Sequence, residues 1–271
     1  MPQLHQSDPH ILDRRRLWSD HRSLAELLSP GMSVLDVGCG TGAITKGIAE
    51  AVGPSGTVVG VDRDRGLIER ANAHCALLPN LRFEEGDATH LDYDARFDVV
   101  TAARTLQWIA DLRTAIRRMA RAAKPGGLLV VLDYNHVFNS WEPAPPAEFT
   151  AFYSTFLSWR ESNQWDNEVA NHLPALLEEA GLQEVRSYGQ DVTSVRGDAD
   201  FDEKTALWTE VIDNLGATLL SAHVCDVPLL EAARRSYETW RRTDLLRQVL
   251  AMRAIVARVA DVRHNSIDPD H

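Results

Sequence analysis

The sequence predicts a doubly wound α/β fold: a mostly parallel sheet with helices on both faces, followed by a mainly helical cap. Three observations carry this. Short β-branched runs alternate with segments of helical period from about residue 30 to residue 135. A glycine cluster, Gly38-Cys39-Gly40-Thr41-Gly42, separates the first strand from the helix after it. Past Asp133 the rhythm gives way to prolines and then to an aromatic-rich helical stretch. Alternating strands and helices imply right-handed crossovers, which leave the sheet covered on both faces.

Taken in order, residues 13–28 read as a helix, because Leu17, Leu24, Leu27 and Leu28 recur at helical spacing between charges. Ser29-Pro30-Gly31 stops it. Met32–Val37 is a strand that ends in the glycine cluster, and a helix follows to about Val52. Thr57–Val61 is the second strand and Asp64–Leu78 its helix; Leu81–Glu85 is the third strand. Phe97–Ala102 is the fourth, with a helix from Asp111 to Ala123 and a turn at Lys124-Pro125-Gly126-Gly127. Leu128–Leu132, the most continuously apolar run, is the fifth. Pro143, Pro145 and Pro146 precede a helix whose Phe149, Phe152, Tyr153 and Phe156 share one face. That face either packs on the sheet or forms a lid over a bound molecule. Asn167–Ala180 is a helix stopped at Gly181. Residues 182–195 form a strand, 201–245 are mainly helical, and a last strand is expected near Arg253–Val259. The residues from about His264 read as a frayed tail. One domain spanning 1–271 is expected, with its core at about 30–135 and cap segments at about 136–170 and 200–248.

Composition narrows the function. The chain has 271 residues, 44% of them hydrophobic, enough to bury a real core. A net charge of -11 argues against a nucleic-acid partner, which wants a basic face. Cys39, Cys75 and Cys225 have neither a disulfide framework's pattern nor zinc-ligand spacing, so free thiols and no metal are expected. No apolar run suits a signal peptide or a membrane span, and a cytoplasmic protein, monomer or homodimer, is the expectation.

A glycine cluster between strand and helix lets the backbone turn tightly and approach a ligand. The helix N-terminus beneath it offers free N–H groups and partial positive charge. Asp62 comes twenty residues after Gly42, where an acid accepts hydrogen bonds from both hydroxyls of a ribose. Asp36 faces the same crevice from just before the glycines. A bare tight turn and a solvated acid explain either feature alone; together, in this order, they indicate a nucleoside site.

The residues now in view resemble class I S-adenosylmethionine (SAM)-dependent methyltransferases. Val34–Gly42 is similar to their first motif, Gly60-Val61-Asp62 to their second-strand acid, and Glu85-Gly86-Asp87-Ala88 to their third-strand motif. Phe97-Asp98-Val99-Val100 and Lys124-Pro125-Gly126-Gly127 resemble their fourth strand and the turn before their fifth. Leu106-Gln107-Trp108 looks like the segment found in small-molecule members of the trans-aconitate and ubiquinone–menaquinone type. The resemblance implies a Rossmann-like sheet of seven strands and SAM as cofactor. It also implies that Gly38, Cys39, Gly40 and Gly42 pack against the methionine and ribose, and that Asp62 holds the ribose. Asp87 and Ala88 would hold the adenine edge, Arg63 and Leu67 would flank its ring, and Arg104 would lie near the methionine end. Arg14, Arg15 or Arg16 are candidates for the cofactor's carboxylate, although three consecutive arginines also read as a solvated helix face.

Methyl transfer needs mainly positioning, and a base only where the acceptor arrives protonated. No universal catalytic residue is implied. His136 is a candidate base, with an ordinary loop histidine as the competing reading. His172 reads as a packing or surface residue. Gln107, Trp108, Asn135 and His136 are candidates for the pocket of a small-molecule acceptor. Two other functions compete: an NAD(P)-dependent oxidoreductase, since Gly38, Gly40 and Ala43 loosely satisfy the dinucleotide pattern, and a non-catalytic SAM-binding protein.

Overall fold

The computed structural model describes residues 9–261, so the expected tail from His264 lies outside the described residues. The strands are β1 (Ser33–Val37), β2 (Thr57–Asp62), β3 (Leu81–Glu85), β4 (Phe97–Ala103), β5 (Ala123–Tyr134), β6 (Ser140–Glu142), β7 (Gln183–Gly189), β8 (Val192–Val195), β9 (Arg247–Leu250) and β10 (Met252–Arg258). Seven form one sheet in the order β3-β2-β1-β4-β5-β10-β7. Within it β3, β2, β1, β4 and β5 pair in parallel, and β10 runs antiparallel to both β5 and β7. The order reverses between β1 and β4, the place where α/β sheets open a crevice at their carboxyl ends.

The helices are α1 (Pro9–Asp13), α2 (Leu17–Asp20), α3 (Arg22–Ala25), α4 (Ala43–Val52), α5 (Arg65–Cys75), α6 (Leu112–Ala122), α7 (Ala147–Ser162), α8 (Val169–Glu179), α9 (Phe201–Thr205), α10 (Leu207–Ser221) and α11 (Val227–Thr243). Alternate strand residues feed two cores, as a pleat covered on both faces requires. Val34, Val58, Val99 and Val130 pack with Ile44 and Ile48 of α4 on one face. Leu35, Val59, Val100 and Val131 pack with Met119 of α6 and Leu173 of α8 on the other.

A third cluster builds the cap. Phe149, Phe152 and Phe156 of α7 meet Trp208 of α10 and Tyr237 of α11. The aromatic stripe of α7 therefore packs mainly within the cap, not on the sheet.

Three expectations are corrected. The helix over 13–28 is broken into the short α2 and α3 after the end of α1, because Arg16 is extended (φ -135°, ψ 141°) and His21 leaves helical geometry (φ -147°, ψ 57°). Tertiary bonding breaks it: His21 is fully buried and its Nε2 bonds the Thr101 hydroxyl at 3.0 Å. Lys124–Gly127 is not a turn before β5 but a bulge within it, since Phe97 pairs with Ala123 and Val99 already pairs with Leu128. The single strand over 182–195 is two, β7 and β8, in different sheets. The cap is mainly helical, as expected, and also holds a three-stranded antiparallel sheet of β6, β9 and β8.

Candidate active site

After β1 the chain turns through Gly38 (φ 76°) and Gly40 (φ 56°) to Gly42 (φ 78°), the N-cap of α4. Glycine adopts these angles without the steric cost other residues meet. The turn is tied to β2, with the Gly38 N–H donating to the Val61 carbonyl at 2.7 Å. Asp62, at the end of β2, accepts from the Gly40 N–H through Oδ2 and from the Asp64 N–H through Oδ1, both at 2.9 Å. The glycine loop and the acid thus lie side by side. Each carboxylate oxygen keeps unused lone-pair capacity for a ligand.

Around this pair lies a cavity of about 800 Å³, within the range of small-molecule sites. Asp36, Gly38, Cys39, Gly40 and Asp62 line one end of it. Arg63, Leu67, Asp87 and Ala88 line the same end from α5 and the segment after β3. Asp64 caps α5 by accepting from the Gly66 and Leu67 N–H groups, and Asp87 accepts from the Thr89 N–H at 2.7 Å. Arg104, Gln107, Trp108 and His136 lead to the other end, which Phe156 of α7, Trp165 of the segment after α7 and Trp208 of α10 close.

Two expected residues lie elsewhere. Asn135 does not line the cavity: its amide donates to Asn171 Oδ1 and its Oδ1 accepts from the Asn171 N–H, both at 3.0 Å, tying β5 to α8. Gly42 does not line it either; a Cβ there would meet the Phe83 ring at 2.6 Å, so this glycine serves helix–strand packing. His172 is exposed and pairs with Asp166. The three arginines separate. Arg14 pairs with Glu210 and Glu203, and Arg16 donates to the Asp13 and Arg15 carbonyls. Arg15 lines the cavity, and among the described residues its guanidinium makes no hydrogen bond. Burial, and then Arg104, lower its pKa to about 10.

A buried polar network sits behind the cavity. The Gln107 amide donates to the Arg104 carbonyl at 3.1 Å, so its Oε1 faces His136 Nε2 at 2.6 Å. A carbonyl only accepts, so Gln107 is held in this orientation and Nε2 of His136 carries the proton. Nδ1 of His136 has no hydrogen-bond partner among the described residues. Burial and then Arg160 hold the imidazole well below its ordinary pKa, so it stays neutral. Its ring stacks on Tyr134 at 5.1 Å. Sequence reasoning did not find Arg160, whose position in the last turn of α7 reads as surface. It is fully buried, with its Nε on Asn167 Oδ1 at 2.8 Å and a terminal nitrogen on the Gln107 carbonyl at 2.9 Å. Trp165 and Trp208 were also missed as cavity walls, because only the fold brings them to Trp108.

Two acids are unusual. Burial raises Asp36 to about 6, despite a 2.7 Å bond from the Thr45 hydroxyl. Burial raises Asp133 to about 6 as well, against the bonds from the Tyr134 and Gln107 N–H groups. A folded-state pKa above the unfolded value means the native state binds the proton more tightly. Stability therefore falls as pH rises from about 4 through 6. Asp133→Asn is expected to remove part of that slope, on the order of 2 kcal/mol between pH 4 and 7. Urea midpoints of both proteins at the two pH values check it; parallel dependences overturn it.

A family model described as "Methyltransferase domain" matches residues 28–186. The demethylmenaquinone methyltransferase of Staphylococcus aureus is 30% identical over 197 residues, covering 66% of this chain and 77% of the relative. Among solved structures, phosphoethanolamine N-methyltransferase 2 of Haemonchus contortus with S-adenosyl-L-methionine aligns with a TM-score of 0.55 at 18% identity. That alignment covers 88% of this chain and 52% of the other. The [4+2]-cyclase SpnF aligns with a TM-score of 0.55 at 20% identity, covering 92% and 85%. These structural likenesses are of fold, and fold alone does not choose a chemistry.

Proposed function

This chain belongs to the methyltransferase domain family and is a SAM-dependent methyltransferase; on that premise we propose that this cavity holds SAM at the glycine-loop end and a small-molecule methyl acceptor at the cap end. The observation that carries the reading is the Gly40–Asp62 bond, which sets a half-buried carboxylate beside the glycine turn at the mouth of β1 and β2.

The donor set fits the cofactor. Asp62 takes the ribose hydroxyls on its spare lone pairs, and Asp87 with Ala88 takes the adenine edge. Arg63 and Leu67 flank the ring. Gly38, Cys39 and Gly40 let the backbone approach, with Asp36 behind them. Arg15, whose guanidinium makes no hydrogen bond among the described residues, takes the cofactor's carboxylate in the forked geometry a guanidinium allows, with Arg104 beside it. When bound, SAM supplies an electrophilic methyl on a cationic sulfur, and the bonding pair stays on sulfur as a neutral thioether while an acceptor lone pair takes the methyl. Gln107, Trp108 and His136 line the way to the acceptor and hold its shape.

A small-molecule acceptor agrees with the relative that acts on demethylmenaquinone by name. Free Cys39, Cys75 and Cys225 suit a reducing cytoplasm. No helix of the described residues is long and apolar enough to cross a membrane. The matching family model and the Staphylococcus aureus relative are both methyltransferases, which favours methyl transfer over the oxidoreductase alternative.

Calorimetry with S-adenosylhomocysteine tests the cofactor reading, and absence of binding overturns it. Arg15→Gln is expected to weaken S-adenosylhomocysteine about tenfold, the value of a hydrogen bond to a charged group. It should leave 5′-methylthioadenosine, which lacks the carboxylate, unchanged. Equal losses for both ligands would remove Arg15 from this role.

A further inference from the structure

Resting on the reading of this cavity as a methyl-transfer site, we propose that the acceptor is a planar molecule with an acidic hydroxyl, a phenol or enol, held as its oxyanion.

Charge is segregated along the cavity. Its carboxylates, Asp36, Asp62, Asp64, Asp87 and Asp111, all lie at the cofactor end. Among the described residues that line it from Tyr134 onward, there is no Asp, Glu, Lys or Arg. The largest side chains there are flat: Tyr134, Phe156, Trp165 and Trp208, with Trp108 at the boundary and 5.3 Å edge-on to Trp165, and the polar ones beside them, such as Asn139, Gln164 and Asn214, are neutral. Such walls select a flat, largely apolar body.

Behind those walls stands a cation. Arg160 lies 4.5 Å from the Trp108 ring centre and 5.5 Å from that of Phe156. All its hydrogen bonds go to neutral oxygens: Asn167 Oδ1 and the carbonyls of Gln107 and Asp166. One terminal nitrogen has no hydrogen-bond partner among the described residues. A buried charge without a paired opposite charge is costly, and an anion in the adjacent space offsets that cost. Arg104 lines the junction between the two ends and adds the same sign, while Arg15 is taken by the cofactor's carboxylate. An amine acceptor, cationic in water, would meet both Arg160 and Arg104.

The surrounding titratable groups do not reverse this. Asp133, from β5, is the acid behind this end; its pKa of about 6 leaves it a carboxylate at pH 8, but its oxygens accept from two backbone N–H groups and it makes no ion pair with Arg160. Asp166 is turned to His172. Asp20 lies at 3.5 Å from Arg104, on the N-terminal side. Glu210 and Asp213 of α10 are turned to Arg14 and Arg234. Tyr153 of α7 donates to the His136 carbonyl at 2.5 Å. His136 itself keeps one proton on Nε2, and Arg160 opposes a second. The hydroxyl proton therefore leaves to solvent as the acceptor binds, and the pair it leaves on oxygen is the pair that takes the methyl. His136, the base candidate of the sequence, remains a neutral wall.

The test uses the intact chain saturated with S-adenosylhomocysteine, and two isosteric probes, 4-nitrophenol and 4-nitroaniline. The phenolate absorbance is followed against pH. The expected result is an ionisation midpoint for bound 4-nitrophenol at least one pH unit below that in water. Binding of 4-nitrophenol at pH 8 should be at least tenfold tighter than that of 4-nitroaniline. Arg160→Met is expected to return the midpoint towards its solution value and to leave S-adenosylhomocysteine affinity unchanged. An unchanged or raised midpoint, equal binding of the aniline, or no binding of 4-nitrophenol overturns the proposal, as does a shift that survives in Arg160→Met. The wild-type comparisons decide it even where that variant does not fold. Failure of S-adenosylhomocysteine itself to bind overturns instead the cofactor reading on which the proposal rests.

Discussion

Asp62→Ala is expected to weaken S-adenosylhomocysteine binding by about 2–4 kcal/mol, or roughly 30- to 700-fold. The carboxylate does two jobs at once. Toward the protein it accepts from the Gly40 and Asp64 N–H groups, at 2.9 Å each, and so fixes the loop that forms the site. Toward the ligand it offers two oxygens to two vicinal hydroxyls, each bond charge-assisted. Alanine removes both functions and leaves buried N–H groups without a partner. Asp62→Asn keeps one carbonyl oxygen and is expected to lose less, since either the loop or one hydroxyl retains its acceptor. Calorimetric titration of wild type, Asn and Ala variants gives the series. An affinity in Asp62→Ala within threefold of wild type would show that the ribose is held elsewhere.

The glycine–acid pair was legible because both halves of it are local: a strand must end, a helix must begin, and only certain residues permit the turn. The same holds for β1, β2, β4 and β5, whose Val-rich runs are buried on both faces and so need no alternation to be recognised. What the sequence hid was long-range. Strands β6, β8 and β9 are three or four residues each, and Ser140 finds Val249 only once the cap has formed. Arg16 and His21 interrupt the first helix because His21 reaches Thr101 across the sheet, a contact no local periodicity encodes. Asn135 shares the strand end with residues that do face the cavity, yet Asn171 of α8 captures its amide. Arg160 was invisible for the opposite reason: a cation in a last helical turn ordinarily meets water and the helix dipole, and here backbone carbonyls and indole faces replace the water.

Gly38→Ala is expected to cost more stability than any surface change, about 3–5 kcal/mol. At this size that lowers Tm by roughly 6–15 °C. Two effects add. With φ at +76°, an alanine pays the left-handed penalty of roughly 1–2 kcal/mol. Its Cβ would also stand 2.2 Å from Thr105 Oγ1, 2.3 Å from Cγ2 and 2.8 Å from Cβ. Thr105 cannot swing clear, because a β-branched side chain is stiff and its own Cβ is among the colliding atoms. Either the segment after β4 or the glycine loop must move, and the loop carries the Gly40–Asp62 bond. Cofactor affinity should therefore fall together with stability. Gly181→Ala separates the two effects: φ there is +86°, and a Cβ meets nothing within 4 Å. Its cost is expected to be the conformational part alone, about 1–2 kcal/mol. Adding Thr105→Gly to Gly38→Ala removes the colliding atoms and should recover part of the affinity for S-adenosylhomocysteine. Urea unfolding of the three variants, with calorimetry on the last, measures each step. A Gly38→Ala protein no less stable than Gly181→Ala would mean that the loop after β1 does not press on Thr105 as the structure places it.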